Sequence, residues 1–150
     1  MAIKKIGILV DNIGCSDFGL QLISNINTIC SDINFGVTIF INQYVIPPIN
    51  PYFSILHHVE AYSYDGILIS TTPETLNVSL KCFTTAKRFH YIWDFQYKDS
   101  YILNRDIYSN DRVKYITRSV RHFELLNNIW GKTSKIIEEW NNESIRTLFE

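Results

Sequence analysis

Residues 3–19 read IKKIGILVDNIGCSDFG, and this stretch indicates the fold class. Its first eight residues are a β-rich apolar run, which is typical of a strand buried on both faces. A turn containing Asp11, Asn12 and Gly14 follows, and Ser16 or Asp17 can cap the next helix. The apolar residues 19, 22, 23, 26 and 30 form one stripe on that helix, which should pack on a sheet. A strand that leads directly into an amphipathic helix predicts an α/β domain.

The same alternation continues along the chain. The predicted strands are 3–10, 35–42, 64–70, 87–95, 113–117 and 133–140. The predicted helices begin at positions 16–17, 54, 71, 119 and 142. Three prolines make 45–53 a structured loop, and 99–110 is a helix or an ordered loop. We therefore predict a single Rossmann-like three-layer domain over residues 1–150, with a mainly parallel sheet of five to six strands.

Composition narrows the class of protein. With 150 residues, 46% hydrophobic and 19% charged, the chain can build one core and is not of a disordered type. Cys15, Cys30 and Cys82 are an odd number without CxxC spacing, so we predict no disulfide and no structural zinc site. We also expect no other metal and no cofactor. No apolar run approaches the ~20 residues of a membrane span, and Asp11 comes too early for a secretory signal. These features predict a cytoplasmic protein with no membrane contact.

The charges are unevenly distributed. Residues 1–80 carry two basic and six acidic side chains, a net charge of −4, whereas residues 81–150 carry twelve basic and nine acidic ones, a net charge of +3. An excess of +3 is too weak to indicate a nucleic-acid-binding protein. We therefore treat nucleic acid as a minor alternative.

The predicted ligand site lies beyond the carboxyl ends of the strands, where parallel α/β sheets bind their ligands. The polar residues assigned to that edge are also the candidate ligand-binding residues: Asp11, Asn12, Gly14, Ser70, Thr71, Arg118, Ser119 and Arg121. The same edge carries Ser16, Asn42, Thr72, Asp94 and Gln96.

The turn after the first strand does not have the pattern of a phosphate loop. It contains only Gly14 and Gly19, at the wrong spacing for a dinucleotide fingerprint, and the chain has no Gly-Lys-Ser/Thr. Asp11 also adds a negative charge where a phosphate would lie. We expect a tight turn with a side-chain cap, although the amides of the helix N-terminus could hold an anion.

Asp94 and His122 are the candidate catalytic residues. Asp94, in YIWDFQY, could act as a base or bind a sugar hydroxyl beside Trp93 or Tyr97, or it could simply end a strand. His122 follows Ser119 by one helical turn. With Arg118 and Arg121 it forms TRSVRH, either a receptor for phosphate or carboxylate or a solvated basic face.

The other histidines and serines give weaker signals. His57 and His58 are adjacent on a predicted helix and point to different sides, so they do not form a metal-binding pair. His90 lies inside a predicted strand as a core or edge residue. Without a GxSxG motif, a hydrolase triad is not supported.

Four segments, read in order, resemble the N-terminal, acceptor-binding half of GT-B glycosyltransferases: IKKIGILVDNIG, YDGILIS, YIWDF and VKYITRSVRHFELLNNIWGKTSKIIEEWN. The chain is still more similar to small proteins encoded by tailed phages of cyanobacteria, which share the DG-LI-T, Y-WD and RS--H patterns. The first resemblance implies that Asp94, Ser119 and His122 would line an acceptor site. Such enzymes bind their nucleotide sugar on a second domain, and we expect no such domain within residues 1–150.

The expected function follows from both resemblances. The leading hypothesis is a phage-encoded, non-catalytic binding module for a partner protein or a small ligand, in virion assembly or host takeover. Nine Tyr, nine Phe and the loop 45–53 could supply an apolar interface for a protein partner or for self-association. The alternative is a glycosyltransferase-related protein that binds a nucleotide sugar as an oligomer or with a separate donor-binding subunit. Either would act in the host cytoplasm, and the first also in the virion.

Overall fold

A computed structural model describes residues 2–93 and 108–150, and it shows an α/β protein with a Rossmann-like arrangement. Seven parallel strands form one sheet in the order β3-β2-β1-β4-β5-β6-β7. They are β1 (Lys4–Val10), β2 (Phe35–Ile41), β3 (Ser54–His57), β4 (Ile67–Ser70), β5 (Lys87–Ile92), β6 (Lys114–Thr117) and β7 (Ser134–Ile136). The predicted fold class is confirmed.

The helices are α1 (Asp17–Cys30), α2 (Pro73–Lys81), α3 (Val120–Trp130) and α4 (Asn142–Arg146), with 3-10 turns at His58–Ser63 and Thr147–Phe149. α1 connects β1 to β2, α2 connects β4 to β5 and α3 connects β6 to β7, while α4 follows β7. None of the helices in residues 2–93 and 108–150 has the length and apolar character needed to cross a bilayer.

Both faces of the sheet are covered by apolar packing. On one face, Ile8 and Ile39 pack with Ile23 and Ile26 of α1 and with Ile145 of α4. On the other face the alternate residues of the strands, such as Leu9 and Phe40, form cores with the 3-10 turn, α2 and α3. Burial on both faces explains why the strands read as continuous apolar runs and not as alternating ones.

The helix ends follow the predicted chemistry. The Oγ of Ser16 accepts a hydrogen bond from the Gly19 amide at 3.0 Å, so Ser16 and not Asp17 caps α1. Gly131 ends α3 with a φ of 63°, a left-handed conformation that glycine adopts without strain. The sequence predicts Asn142 as the cap of the final helix, whereas Asn141 supplies the cap and the helix begins at Asn142.

The prediction of a helix at 54–63 is wrong. Ser54–His57 is a strand that pairs with Thr38–Ile41 of β2, and only His58–Ser63 is helical, as a 3-10 turn. The open edge of β2 offers backbone hydrogen bonds to this segment, and those bonds override its local helical pattern. The additional strand raises the count to seven, one more than predicted.

Candidate functional site

The topological switch point lies between β1 and β4. The strand order runs outward from β1 to β3 on one side and from β4 to β7 on the other, so the connections leave in opposite directions there. Ligands of doubly wound sheets bind beyond the carboxyl ends of the strands at such a point. A cleft of about 480 Å³ opens at this edge. Its described lining residues are Asp11, Asn42, His58, Thr72, Glu74, Thr75 and Val78.

The start of α2 forms one wall of the cleft. The hydroxyl of Thr72 accepts a hydrogen bond from the Thr75 amide at 3.2 Å, and the Thr75 hydroxyl accepts one from the Thr72 amide at 2.9 Å. Thr71 donates its hydroxyl hydrogen to the carbonyl of Leu9 at 2.8 Å, which joins this turn to β1. These bonds hold the wall in one conformation.

Asp11 and Asn42 form the floor at the ends of β1 and β2. The carbonyl of Asp11 accepts hydrogen bonds from the amides of Asn42 and Gln43, both at 3.0 Å. Its carboxylate accepts longer bonds, at 3.3 Å, from the side chains of Asn12 and Asn42. The carboxylate is exposed, so it can accept further hydrogen bonds from a ligand.

His58 closes the cleft on the side of the 3-10 turn. Its Nε2 lies 2.8 Å from the carbonyl oxygen of Val10, and Nε2 must be the donor because a carbonyl can only accept. This bond fixes the ring against the end of β1. Glu74, in the first turn of α2, supplies a second exposed carboxylate to the cleft.

The turn between β1 and α1 uses its own amides internally. The Gly14 amide donates to the side chain of Asn12 at 3.0 Å, and the Gly19 amide donates to Ser16. A Cβ on Gly19 would lie 2.3 Å from the carbonyl oxygen of Gly14, so the glycine is needed for close approach of the turn and the helix. These two amides are therefore engaged by side chains of the turn itself.

A second cluster lies at the same edge, over β5 and β6. Ser119 caps α3, and its Oγ lies 2.6 Å from Nδ1 of His122. The guanidinium of Arg118 stacks 4.4 Å from the centroid of the Trp93 ring. The ring of Trp93 also packs against Phe18 in an edge-to-face arrangement, with 5.4 Å between the ring centroids. Arg118 and Trp93 are half-buried, so this stack orients the cation at the edge of the sheet.

Ser70 and His90 form a buried pair beneath the edge. The Oγ of Ser70 lies 2.9 Å from Nδ1 of His90 and 3.2 Å from the carbonyl oxygen of Phe89. Their exposed fractions are 0% and 3%. Burial lowers the pKa of His90 to about 4, so the imidazole is neutral near pH 7.

The structure divides the predicted ligand-binding residues between these places. Asp11 lines the cleft, while Asn12, Gly14 and Thr71 build the turns beside it. Arg118 and Ser119 belong to the second cluster, and the neighbouring Arg121 is exposed on α3. Ser70 lies in the core between β4 and β5. Asp94 and Gln96 lie outside the described residues.

Sequence reasoning missed four residues of the cleft, which are His58, Glu74, Thr75 and Val78. His58 was assigned to a helix with His57, whereas His57 ends β3 and His58 begins the 3-10 turn. Glu74 and Thr75 fall in the helix that is predicted to begin at position 71, and the sequence predicts no ligand contact for them. The signal for both was the TTPE motif directly after a buried strand, which places the first turn of a helix at the carboxyl edge.

Residues 2–93 and 108–150 contain no group of three or more His, Cys, Asp or Glu side chains that could hold a metal ion. Comparison with protein-family models, curated proteins and solved structures finds no significant match. The resemblance to glycosyltransferase halves and to phage proteins stays a prediction from the sequence.

Proposed function

We propose that this chain is a non-catalytic, Rossmann-like binding module whose cleft at the β1/β4 switch point receives a small ligand rich in hydroxyl or ammonium groups. The lining of the cleft is the observation that carries the proposal. Asp11 and Glu74 contribute carboxylates, Asn42 an amide and Thr72 a hydroxyl, and the described lining residues include no Lys or Arg. Carboxylates accept hydrogen bonds from hydroxyl and ammonium groups and repel phosphates.

Binding is favoured over catalysis by what the side chains of the cleft already do. The imidazole of His58 is held through Nε2 by the main chain, and the carboxylate of Asp11 is hydrogen-bonded to two asparagine side chains. Neither contact pairs a base with a nucleophile, which is the arrangement that covalent catalysis needs. The resemblance to phage proteins suggests the setting: host takeover or virion assembly, in the host cytoplasm or in the particle.

A thermal-shift titration tests the ligand class, since a ligand that binds only the folded state raises the melting temperature. We expect monosaccharides, polyols or polyamines to raise it, and nucleoside phosphates to leave it unchanged. The shift should disappear in Asp11→Asn and Glu74→Gln. Glu143→Gln is the matched control, because Glu143 also lies in the first turn of a helix, α4. Stabilisation by phosphates alone would contradict the proposal.

The second candidate is a glycosyltransferase-related protein that requires an oligomer or a separate donor-binding subunit. The second cluster favours it, because Ser119 and His122 lie 2.6 Å apart beside Arg118 at the carboxyl edge. UDP-, GDP- and ADP-sugars in the same titration separate the two candidates. A shift with a nucleotide sugar that Arg118→Gln removes would favour the second candidate, and the Asp11 variant should not affect that shift.

A further inference from the structure

We infer that the chain forms a two-fold symmetric dimer through the outer edge of β3, with the β3 strands of the two copies running antiparallel. The inference concerns a surface other than the cleft and does not depend on what the cleft binds. It rests on three properties of the region from Tyr44 to Tyr62: an open strand edge, a high density of exposed apolar side chains and almost no charge.

The first property is the edge itself. β3 pairs with β2 on one side only, and no further strand follows it in the sheet formed by residues 2–93 and 108–150. An edge strand presents unpaired N–H and C=O groups, and proteins normally guard it with charges, proline or a bulge. Although β3 is short, its sequence Ser-Ile-Leu-His contains neither proline nor a Lys, Arg, Asp or Glu.

The second property is the apolar surface around that edge. Fourteen large hydrophobic side chains are exposed in the described residues, and eight of them lie between positions 44 and 62. They are Tyr44, Val45, Ile46, Ile49, Tyr52, Leu56, Val59 and Tyr62. The loop that carries five of them is held in place, because Asn27 of α1 bonds to the carbonyl of Asn50 and to the amide of Tyr52. The surface is therefore preformed.

The area of this surface suits a dimer. The eight residues are 38% to 80% exposed. If each has a full area of about 200 Å², they expose on the order of 900 Å² in total on the loop, β3 and the 3-10 turn, which is the upper limit of what one interface can bury there. A stable interface of standard size buries about 800 Å² on each partner. A four-residue strand alone offers few hydrogen bonds, so a partner must also cover these side chains.

The third property identifies the partner as a second copy. Between residues 42 and 63, Glu60 is the one residue among Asp, Glu, Lys and Arg. A two-fold interface brings a surface against itself, so a patch with many like charges would repel its copy, whereas a nearly neutral apolar patch does not. An axis perpendicular to the sheet makes the two β3 strands antiparallel and keeps each face of the sheet continuous across the interface.

Mass measurement by light scattering over a wide range of protein concentration tests the dimer. We expect the mass to rise from 17.6 kDa towards twice that value. Leu56→Lys should raise the dissociation constant of the dimer by roughly tenfold or more, since it places two like charges at the centre of the interface. Ile129→Lys is the matched control, because Ile129 is similarly exposed, at 50% against 44%, but lies on α3.

Hydrogen exchange identifies the interface directly. In the dimer, the amides of Ser54–His57 should exchange more slowly at high than at low protein concentration, and this difference should vanish in Leu56→Lys. Circular dichroism verifies that the variant is folded. A chain that stays monomeric at its highest soluble concentration would overturn the inference. The β3 edge would then be free to bind a partner of another sequence. A dimer that Leu56→Lys does not weaken would overturn it as well.

Discussion

Nδ1 of His90 on β5 lies 2.9 Å from Oγ of Ser70 on β4, and the two residues are direct partners in the register of the sheet. The pair joins the two strands on the side of the switch point where β4 to β7 lie. Its burial sets the protonation of the imidazole and hence a measurable pH dependence.

Stability should fall as the pH drops from about 6.5 to about 4 because of His90. Burial lowers the pKa of His90 from 6.5 in the unfolded chain to about 4 in the folded one, so between these values the unfolded state binds the extra proton. The contribution of neutral His90 to the free energy of unfolding is fully present above pH 6.5. It is lost progressively as the pH falls towards 4, by up to about 3 kcal/mol. Urea unfolding at a series of pH values measures this slope.

His90→Asn provides the control for that slope. The variant removes the titrating ring but keeps a polar group near Ser70, so its stability should be lower throughout and nearly flat across this pH window. The pKa values of Asp32, Asp65 and Asp111 are lowered in the folded chain from the ordinary value of 3.8. Their effect on the free energy of unfolding therefore changes mainly below pH 3.8, which is outside this window. An unchanged slope in His90→Asn would refute the assignment.

Gly19→Ala should destabilise the fold, although Gly→Ala inside a helix normally stabilises it by up to about 1 kcal/mol. The new Cβ would lie 2.3 Å from the carbonyl oxygen of Gly14, a backbone atom that cannot move without disturbing the turn. We expect a loss of about 1–3 kcal/mol in the free energy of unfolding. Chemical denaturation measures it.

Gly36→Ala is the comparison for that substitution. Its Cβ would meet the side chain of Ile3 at 3.2 Å, and Ile3 is exposed and can turn away. This variant should therefore keep its stability within about 0.5 kcal/mol. If both alanine variants behaved alike, the close approach at Gly19 would not be the cause.

Ser119→Ala should lower the free energy of unfolding by about 1 kcal/mol, because it removes the side-chain cap of α3. The hydroxyl accepts a hydrogen bond from the His122 amide at 3.3 Å and contacts Nδ1 of the same residue. Ser119→Asp retains an acceptor at the cap and should restore most of the loss. Equal losses in the two variants would show that capping does not explain the effect.

Arg118 and Trp93 should be energetically coupled. A double-mutant cycle with Arg118→Gln and Trp93→Leu should give a coupling of about 0.5–1 kcal/mol in the free energy of unfolding, because the guanidinium stacks 4.4 Å above the indole. Arg121→Gln in place of Arg118→Gln is the matched cycle and should be additive, since Arg121 is exposed on α3. A coupling of similar size in both cycles would argue against the stack.

The sequence predicted most elements but erred where backbone pairing decides conformation. Apolar runs and capping residues located β1, α1, β2 and α2 to within about three residues. The segment Ser54–His57 shows helical spacing locally but becomes a strand, because β2 offers it a free row of hydrogen-bonding groups. A pattern within the segment carries no information about that neighbour.

The sequence by itself determined the α/β class, the parallel sheet and the edge at which polar residues gather, because each depends on periodicity and on residues close together in the chain. Only the tertiary structure decided which of those residues meet. It brings Asp11, His58 and Glu74 to one cleft, buries Ser70 with His90, and places Arg118 on Trp93. Most of these contacts join residues that are 20 to 63 positions apart in the chain. Strand order and strand register bring such residues together, and no local sequence pattern encodes either of them.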